Sequence, residues 1–187
     1  MRKAISKWLL RMLGWKLGPL GEYVPKCVIC VAPHTSNWDF PLGKLFYVSI
    51  GRKACFLIKK EWLFFPFNLL FGALGGIPVD RRKPMSVTDQ MAEEFARRDE
   101  FHLAITPEGT RKKAGEWKKG VYYIAVKANV PILVAYLDYK KKEVGVKALF
   151  YPTGDVEADM HRIRTFYRGV TARHPGNFEQ ASESGKT

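Results

Sequence analysis

Residues 27–39 read CVICVAPHTSNWD, and the fold prediction starts from this stretch. The uncharged apolar run over residues 27–32 predicts a buried β-strand, and Pro33 follows it. The polar residues that begin with His34 lead into a predicted helix, for which Thr35 or Ser36 is the expected N-cap. A buried strand that passes through a polar loop into a helix is the repeating unit of an α/β protein.

Strand and helix patterns alternate along the rest of the chain. We predict strands over residues 27–32, 54–58, 77–79, 101–106, 131–138 and 143–150. We predict helices over residues 2–15, 36–49, 60–71, 120–128 and 155–169, and one more that Ser86 opens in a capping box with Asp89. The alternation predicts a single α/β domain with a mostly parallel, mixed sheet flanked by helices. In such sheets, functional residues collect in the loops after the carboxyl ends of the strands.

Composition limits the class of protein and its partners. A chain of 187 residues, with 26% charged and 47% hydrophobic residues, is globular and large enough for one core. The 31 Lys and Arg against 18 Asp and Glu give a net charge of +13, which favours a polyanion, either nucleic acid or an anionic membrane. The 13% of aromatic residues favours the membrane, because Trp and Tyr prefer the headgroup region. The sequence lacks the basic and aromatic interleaving of a nucleic-acid site, so we predict no nucleic-acid partner.

The cysteines bear on compartment and on metal binding. Their number is three (Cys27, Cys30 and Cys55), which gives no disulfide framework and indicates a reducing compartment. Cys27 and Cys30 have the spacing of a metal or redox motif, but they lie in the apolar run without a second Cys or His pair. We therefore interpret them as core residues of a buried strand and predict no metal site.

The first predicted helix is amphipathic. Its apolar face comprises Ile5, Trp8, Leu9, Met12 and Trp15, and its basic face comprises Lys3, Lys7 and Arg11. Tryptophans opposite cations are typical of an interfacial membrane helix, although a helix packed on its own core has the same periodicity. The charges interrupt the apolar residues, so we expect no signal peptide here.

One histidine and one aspartate follow the first predicted strand. His34 is a candidate general base, because imidazole titrates near neutrality, and Asp39 is a candidate support for the imidazolium. On a regular helix a five-residue step separates side chains by about 140°, so the two meet only if His34 lies in the loop and Asp39 in the first turn. The alternative is that Asp39 only complements the helix dipole.

Two other segments combine a strand end with cations. Residues 106–111 read TPEGTR, in which Gly109 lets backbone N–H groups turn toward a ligand and Arg111 can bind phosphate. Residues 75–82 read GGIPVDRR and place Arg81 in a loop after a strand. Each segment alone is equally consistent with a solvated polar turn.

Four segments, in this order, resemble the motif blocks of the 1-acylglycerol-3-phosphate acyltransferase family over roughly residues 25–140. His34 and Asp39 match the family's His, four residues, Asp, and Arg81 matches the arginine of the second block. Residues 107–111 match the third block, although Thr106 stands before it where an aromatic or apolar residue is common, and residues 130–132 match the fourth.

The resemblance implies an enzyme that moves a fatty acyl group from a thioester donor, acyl-CoA or acyl-carrier protein, to a hydroxyl of a lysophospholipid. It implies that His34 is the general base and that Asp39 supports it, without a cofactor. It also implies a set of acceptor-binding residues: Arg81, Glu108, Gly109, Thr110 and Arg111. The alternatives are a different lipid or alcohol as acceptor, or a non-catalytic relative that binds membrane lipid.

The location and the domain limits follow from these observations. We predict a membrane-surface helix over residues 1–20, an acyltransferase domain over residues 21–175 and a disordered tail over residues 176–187. Residues 62–79 are uncharged, but prolines and glycines break them, so we expect no spanning helix there. Their crowded aromatic side chains are expected to face an acyl-chain groove or lipid. The predicted location is the cytoplasmic face of an anionic membrane, as a peripheral protein.

Overall fold

The computed structural model describes residues 1–62, 64–80 and 85–179, which contain one seven-stranded sheet. The strands are β1 (Lys16–Leu17), β2 (Lys26–Ala32), β3 (Cys55–Lys59), β4 (Gly76–Val79), β5 (Phe101–Ile105), β6 (Ile132–Asp138) and β7 (Glu143–Phe150). Their order in the sheet is β1-β7-β6-β2-β5-β3-β4. Neighbouring strands are parallel except β6 and β7, which form an antiparallel hairpin. The mostly parallel α/β sheet predicted from the sequence is confirmed.

Helices cover both faces of the sheet. They are α1 (Arg2–Met12), α2 (Asp39–Ser49), α3 (Phe67–Ala73), α4 (Val87–Arg97), α5 (Gly120–Ala128) and α6 (Val156–Thr165). Helices α1 and α2 pack on one face, and α4, α5 and α6 on the other, so two apolar clusters form the core. Side chains of β2 alternate between the clusters, which places Cys27 in one and Cys30 in the other. The two thiols lie on opposite faces of the strand, as the buried-strand interpretation requires.

The start of α2 differs from the prediction. The helix begins at Asp39, and neither Thr35 nor Ser36 caps it, because the residue at its N-cap is Trp38. The carboxylate of Asp39 instead accepts the backbone N–H groups of Thr35 and Ser36, at 2.9 and 2.8 Å. A charged carboxylate is a stronger acceptor than a hydroxyl. The Asp39 carboxylate therefore organises this loop, in place of the hydroxyls that were predicted to cap the helix.

The helix predicted over residues 60–71 is interrupted. A 3₁₀ turn spans Lys60–Trp62, and α3 begins only after Pro66. Proline disfavours helical geometry in the residue before it, and this explains the separate start. Helix α3 buries none of its residues, and Phe65 is 78% exposed. This agrees with the expectation that some aromatics of this segment do not face the core.

Helix α1 is packed against the domain and still keeps an exposed apolar face. Ser6 and Leu10 are buried in its contact with α2, whereas Trp8 and Met12 are 59% and 68% exposed. The helix ends at Met12, and Gly14 follows with a φ of 75°, a value that glycine adopts readily. Trp15 therefore leaves the face on which helical spacing placed it and enters the core.

The C-terminal end of the described chain continues past the predicted domain limit. A 3₁₀ turn spans Pro175–Asn177, and Phe178 packs against the core. The rest of the predicted tail, residues 180–187, lies outside the described residues, as does Arg81. Within the part of the chain that the structure describes, every helix is too short or too polar to cross a bilayer.

Candidate active site

The carboxyl ends of three neighbouring strands carry the site. His34 follows β2, Glu108 follows β5 and Tyr139 follows β6, and β2 lies between the other two strands. Parallel strands bring the loops after their carboxyl ends to one edge of the sheet, so these three residues meet although they are far apart in sequence.

His34 and Asp39 form a pair with the geometry of a supported base. The Nδ1 atom of His34 lies 3.2 Å from Oδ2 of Asp39, with the histidine in the loop and the aspartate in the first helical turn. A carboxylate accepts only, so Nδ1 carries the proton and Nε2 remains a proton acceptor. The His34 side chain is 22% exposed and that of Asp39 is 2% exposed. The His34 side chain is therefore accessible, whereas the Asp39 side chain is shielded from water.

The carboxylate of Asp39 is held in its ionised form. Burial acts to raise its pKa, but hydrogen bonds from His34, Tyr139 and the Ser36 N–H outweigh burial, and the net pKa is lowered. One carboxylate oxygen binds the histidine and two backbone N–H groups, and the other accepts the Tyr139 hydroxyl at 2.6 Å. A carboxylate with so many donors has a fixed orientation.

Tyr139 was missed by the sequence analysis. Its hydroxyl reaches Asp39 across 100 residues of sequence, and its ring packs edge-on against Trp15 with centroids 4.9 Å apart. Burial and the bond to Asp39 raise the pKa of Tyr139, so the phenol keeps its proton and acts as a donor. Its place directly after a buried strand, at the carboxyl edge of the sheet, is the one sequence signal that could have identified it.

Glu108 contacts the backbone of His34. Both of its carboxylate oxygens accept the His34 N–H, at 3.0 and 3.1 Å, and the residue is 4% exposed. Burial raises the pKa of Glu108 to about 7, although the bond from the His34 N–H acts in the opposite direction. The sequence predicted that Glu108 binds the acceptor, which stays a prediction, and the structure adds its contact with the loop that carries His34.

An apolar cavity of about 600 Å³ lies between α2 and the sheet, and His34 is one of the residues that line it. Its walls are mostly apolar side chains, and one wall includes Gly43 of α2, where a Cβ atom would meet no other atom within 4 Å. Gly109, which has a φ of 64°, also lines this cavity. The size and apolar character suit a hydrocarbon chain.

A second cavity of about 570 Å³, the cationic cleft, lies on the other side of the same loop. It is lined by Thr35, Ser36, Asn37, Trp38, Thr110, Arg111, Lys112, Arg173, His174 and Asn177. Asn37 lines both cavities. Thus Thr110 and Arg111, two of the residues predicted to bind the acceptor, line a cleft that Thr35, the neighbour of His34, also lines.

Comparison with known proteins agrees with this architecture. The profile of the Acyltransferase family matches residues 21–137, which is more than half of the chain. The chain belongs to this family. The resemblance drawn from the four motif blocks is thereby confirmed.

Individual relatives give the same family. The Caenorhabditis elegans protein acl-2 is 35% identical over 125 residues, which cover 62% of this chain and 42% of the relative. Human 1-acyl-sn-glycerol-3-phosphate acyltransferase beta is 29% identical over 137 residues, which cover 70% of this chain and 48% of the relative. This chain therefore spans less than half the length of both relatives.

A solved structure shares the fold. The 1-acyl-sn-glycerophosphate acyltransferase PlsC from Thermotoga maritima superimposes with a TM-score of 0.61 at 19% sequence identity. The superposition covers 90% of this chain and 76% of that chain.

Proposed function

We propose that the protein is an O-acyltransferase that moves a fatty acyl group from a thioester donor to a hydroxyl of a lysophospholipid. The observation that carries the proposal is a base, His34, supported by Asp39 and placed where an apolar cavity and a cationic cleft adjoin. Human 1-acyl-sn-glycerol-3-phosphate acyltransferase beta is a relative, so 1-acylglycerol-3-phosphate is the first acceptor to test.

The reaction needs one base and no covalent enzyme intermediate. Nε2 of His34 takes the proton of the acceptor hydroxyl while the oxygen attacks the thioester carbonyl carbon. The carbon–sulfur bond then breaks, and the departing thiolate takes the proton back from the imidazolium. Asp39 stabilises the imidazolium while it exists, since its carboxylate is already ionised and oriented. General-base assistance of this kind contributes about 10²–10⁴ in rate.

Each cavity receives one part of the substrates in this proposal. The apolar cavity takes the acyl chain of the donor, which is acyl-CoA or acyl-carrier protein. Thr110 and Arg111, which line the cleft, bind the acceptor together with the predicted Arg81, Glu108 and Gly109. Gly109 lines the apolar cavity, and Glu108 also holds the His34 loop. No metal or cofactor enters the scheme, because thioester cleavage supplies the driving force.

We further propose that the protein works as a peripheral protein on the cytoplasmic face of an anionic membrane. Exposed Trp8 on α1 and exposed Phe65 before α3 supply apolar contacts, and the net charge of +13 supplies attraction to anionic lipid. The three cysteines are free, as expected in a reducing compartment.

The decisive experiment is acyl transfer from labelled acyl-CoA and acyl-carrier protein to a panel of lysophospholipids and other lipid alcohols. The wild type is compared with His34→Ala and with a matched control, His161→Ala, which changes an exposed histidine of α6. We expect one labelled product from the wild type. The rate at which it forms should fall by about 10²–10⁴ in His34→Ala and stay unchanged in His161→Ala. Absence of transfer to every acceptor by folded wild type with lipid present would contradict the proposal and favour a non-catalytic lipid-binding protein.

A further inference from the structure

The cationic cleft contains side chains from a segment that no motif block includes. Arg111 and Lys112 come from the loop after β5, whereas Arg173 and His174 come from the chain after α6. The family profile ends at residue 137, so this C-terminal wall lies outside it.

The C-terminal wall is fixed in place beside the base. Val170 and Ala172 are buried at 1% and 3% exposure, and the carbonyl of Thr171 accepts the Tyr139 N–H at 2.8 Å. The His174 N–H donates to the Thr35 hydroxyl at 3.2 Å, which ties the segment to the loop of the base. Alternating burial along an extended segment turns Arg173 outward, into the cleft.

Among the described residues, the charged side chains that line the cleft are basic. No carboxylate lines the cleft, and within residues 1–62, 64–80 and 85–179 neither Arg111, Lys112 nor Arg173 forms an ion pair with a carboxylate. The guanidinium of Arg173 lies 5.7 Å from the ring of Trp38, which orients it without neutralising it. Three cations that line one cleft favour an anionic ligand, which offsets their mutual repulsion.

The position of the cleft indicates which anionic ligand it binds. Thr35 and Asn37 line the cleft and belong to the loop that carries His34, and Asn37 also lines the cavity that His34 lines. Guanidinium groups bind phosphate through paired hydrogen bonds. The donor's acyl chain is assigned to the apolar cavity, which leaves the cleft for the acceptor.

We propose that Arg173 and His174, together with Arg111 and Lys112, bind the phosphate of the acceptor and so make the C-terminal segment a determinant of acceptor specificity. This inference rests on the proposed acyl transfer. The chemical class of ligand is a phosphate monoester on a glycerol backbone.

The kinetic test uses Arg173→Gln. We expect the KM for 1-acylglycerol-3-phosphate to rise about 10–100-fold, because one charge-assisted pair of hydrogen bonds is lost, while the KM for the acyl donor stays within twofold. Arg173→Lys keeps the charge but loses the paired donors of the guanidinium. Its KM for 1-acylglycerol-3-phosphate should therefore lie between those of the wild type and Arg173→Gln. Arg162→Gln on α6 removes the same charge outside the cleft and should leave both constants unchanged.

Two kinetic outcomes would overturn the proposal. A rise in the KM for acyl-CoA alone would assign the cleft to the phosphates of the donor. A fall in kcat at constant KM, with a displaced pH profile, would mean that Arg173 acts through Tyr139, whose pKa it lowers.

A binding test separates this proposal from the proposed function. Glycerol 3-phosphate, with glycerol as the control, is titrated into the protein, and tryptophan fluorescence is compared with that of Trp38→Phe, which lacks the ring beside Arg173. We expect saturable binding of glycerol 3-phosphate, weakened about tenfold or more in Arg173→Gln and not displaced by CoA. If acyl transfer is absent but this binding is present, the phosphate site stands and the proposed function fails. Absence of saturable binding would overturn the site.

Discussion

Asp39 determines the geometry of the site at the scale of single residues. Its carboxylate binds the imidazole of His34 and, at the same time, the two backbone N–H groups that follow the histidine. Glu108 binds the N–H of His34 itself. Two buried carboxylates thus take up the donors of one loop, so the loop can approach substrate without burying unpaired backbone groups.

Tyr139 is the residue whose replacement best tests this arrangement. Tyr139→Phe removes one donor to Asp39, so the pKa of Asp39, which is held below its usual value, should rise. In the proposed mechanism, the ionised carboxylate of Asp39 is the active form. The acid limb of the profile of kcat against pH should therefore move to higher pH. We also expect kcat to fall by about tenfold, because one hydrogen bond to a charged group is lost.

The pH dependence of kcat for the wild type, Tyr139→Phe and Tyr123→Phe checks this. Tyr123 is 49% exposed on α5 and serves as the control. An unchanged acid limb in Tyr139→Phe would show that Tyr139 contributes only through its ring, which packs against Trp15, and not through its hydroxyl.

The residue scale also shows how far sequence reasoning reached. His34 and Asp39 are five residues apart, so local geometry alone gave the one arrangement in which they can meet, and the structure has that arrangement. Glu108 and Tyr139 lie 74 and 100 residues from their partners. Their roles depend on the order of strands in the sheet, which a single sequence does not contain. Hence the contact of Glu108 with the His34 loop was not predicted, and Tyr139 was not found.

At the scale of elements, α1 has a buried face and an exposed apolar face, which its amphipathic pattern did not distinguish. The helix packs on α2 through Ser6 and Leu10, whereas Ile5, Trp8 and Met12 remain exposed. The predicted apolar face is thus not the face that the domain buries. Such a face on a positively charged protein suits the membrane interface.

Vesicle pelleting tests the exposed face of α1. Trp8→Ala should weaken binding to anionic vesicles by about tenfold or more, since inserting a large apolar side chain contributes about 1.5–3 kcal/mol. Added salt should weaken binding of the wild type as well, because it screens the basic charge. Tyr151→Ala removes another aromatic, 63% exposed, and should have no effect. Equal pelleting of the wild type and Trp8→Ala would exclude α1 from the contact.

At the scale of the whole molecule, sheet order explains why two unlike cavities adjoin. Strands β6, β2 and β5 are neighbours, so the loops after them form one continuous surface, the floor of the site. Helix α2 lies over one side of this floor and encloses the apolar cavity, and the segment after α6 closes the cationic cleft on the other side. The loop that carries His34 borders both, so in the proposed function a hydrophobic donor and an anionic acceptor meet there.

Gly43 allows the proposed use of the apolar cavity to be tested. It lines the cavity from α2, and a Cβ atom there would meet nothing within 4 Å. Gly43→Leu should fill part of the cavity and lower kcat/KM for long-chain donors at least tenfold more than for short-chain donors. Replacing a helical glycine also favours the helix by about 0.5–1 kcal/mol, so the melting temperature should not fall.

The control for cavity filling is Gly120→Leu, which adds the same side chain at a position that is open but outside the cavity. It should leave the chain-length profile unchanged. The measurement is kcat/KM for a series of acyl donors that differ only in chain length. Equal losses for every chain length in Gly43→Leu would place the acyl chain elsewhere, because a filled chamber must discriminate against the donors that extend furthest into it.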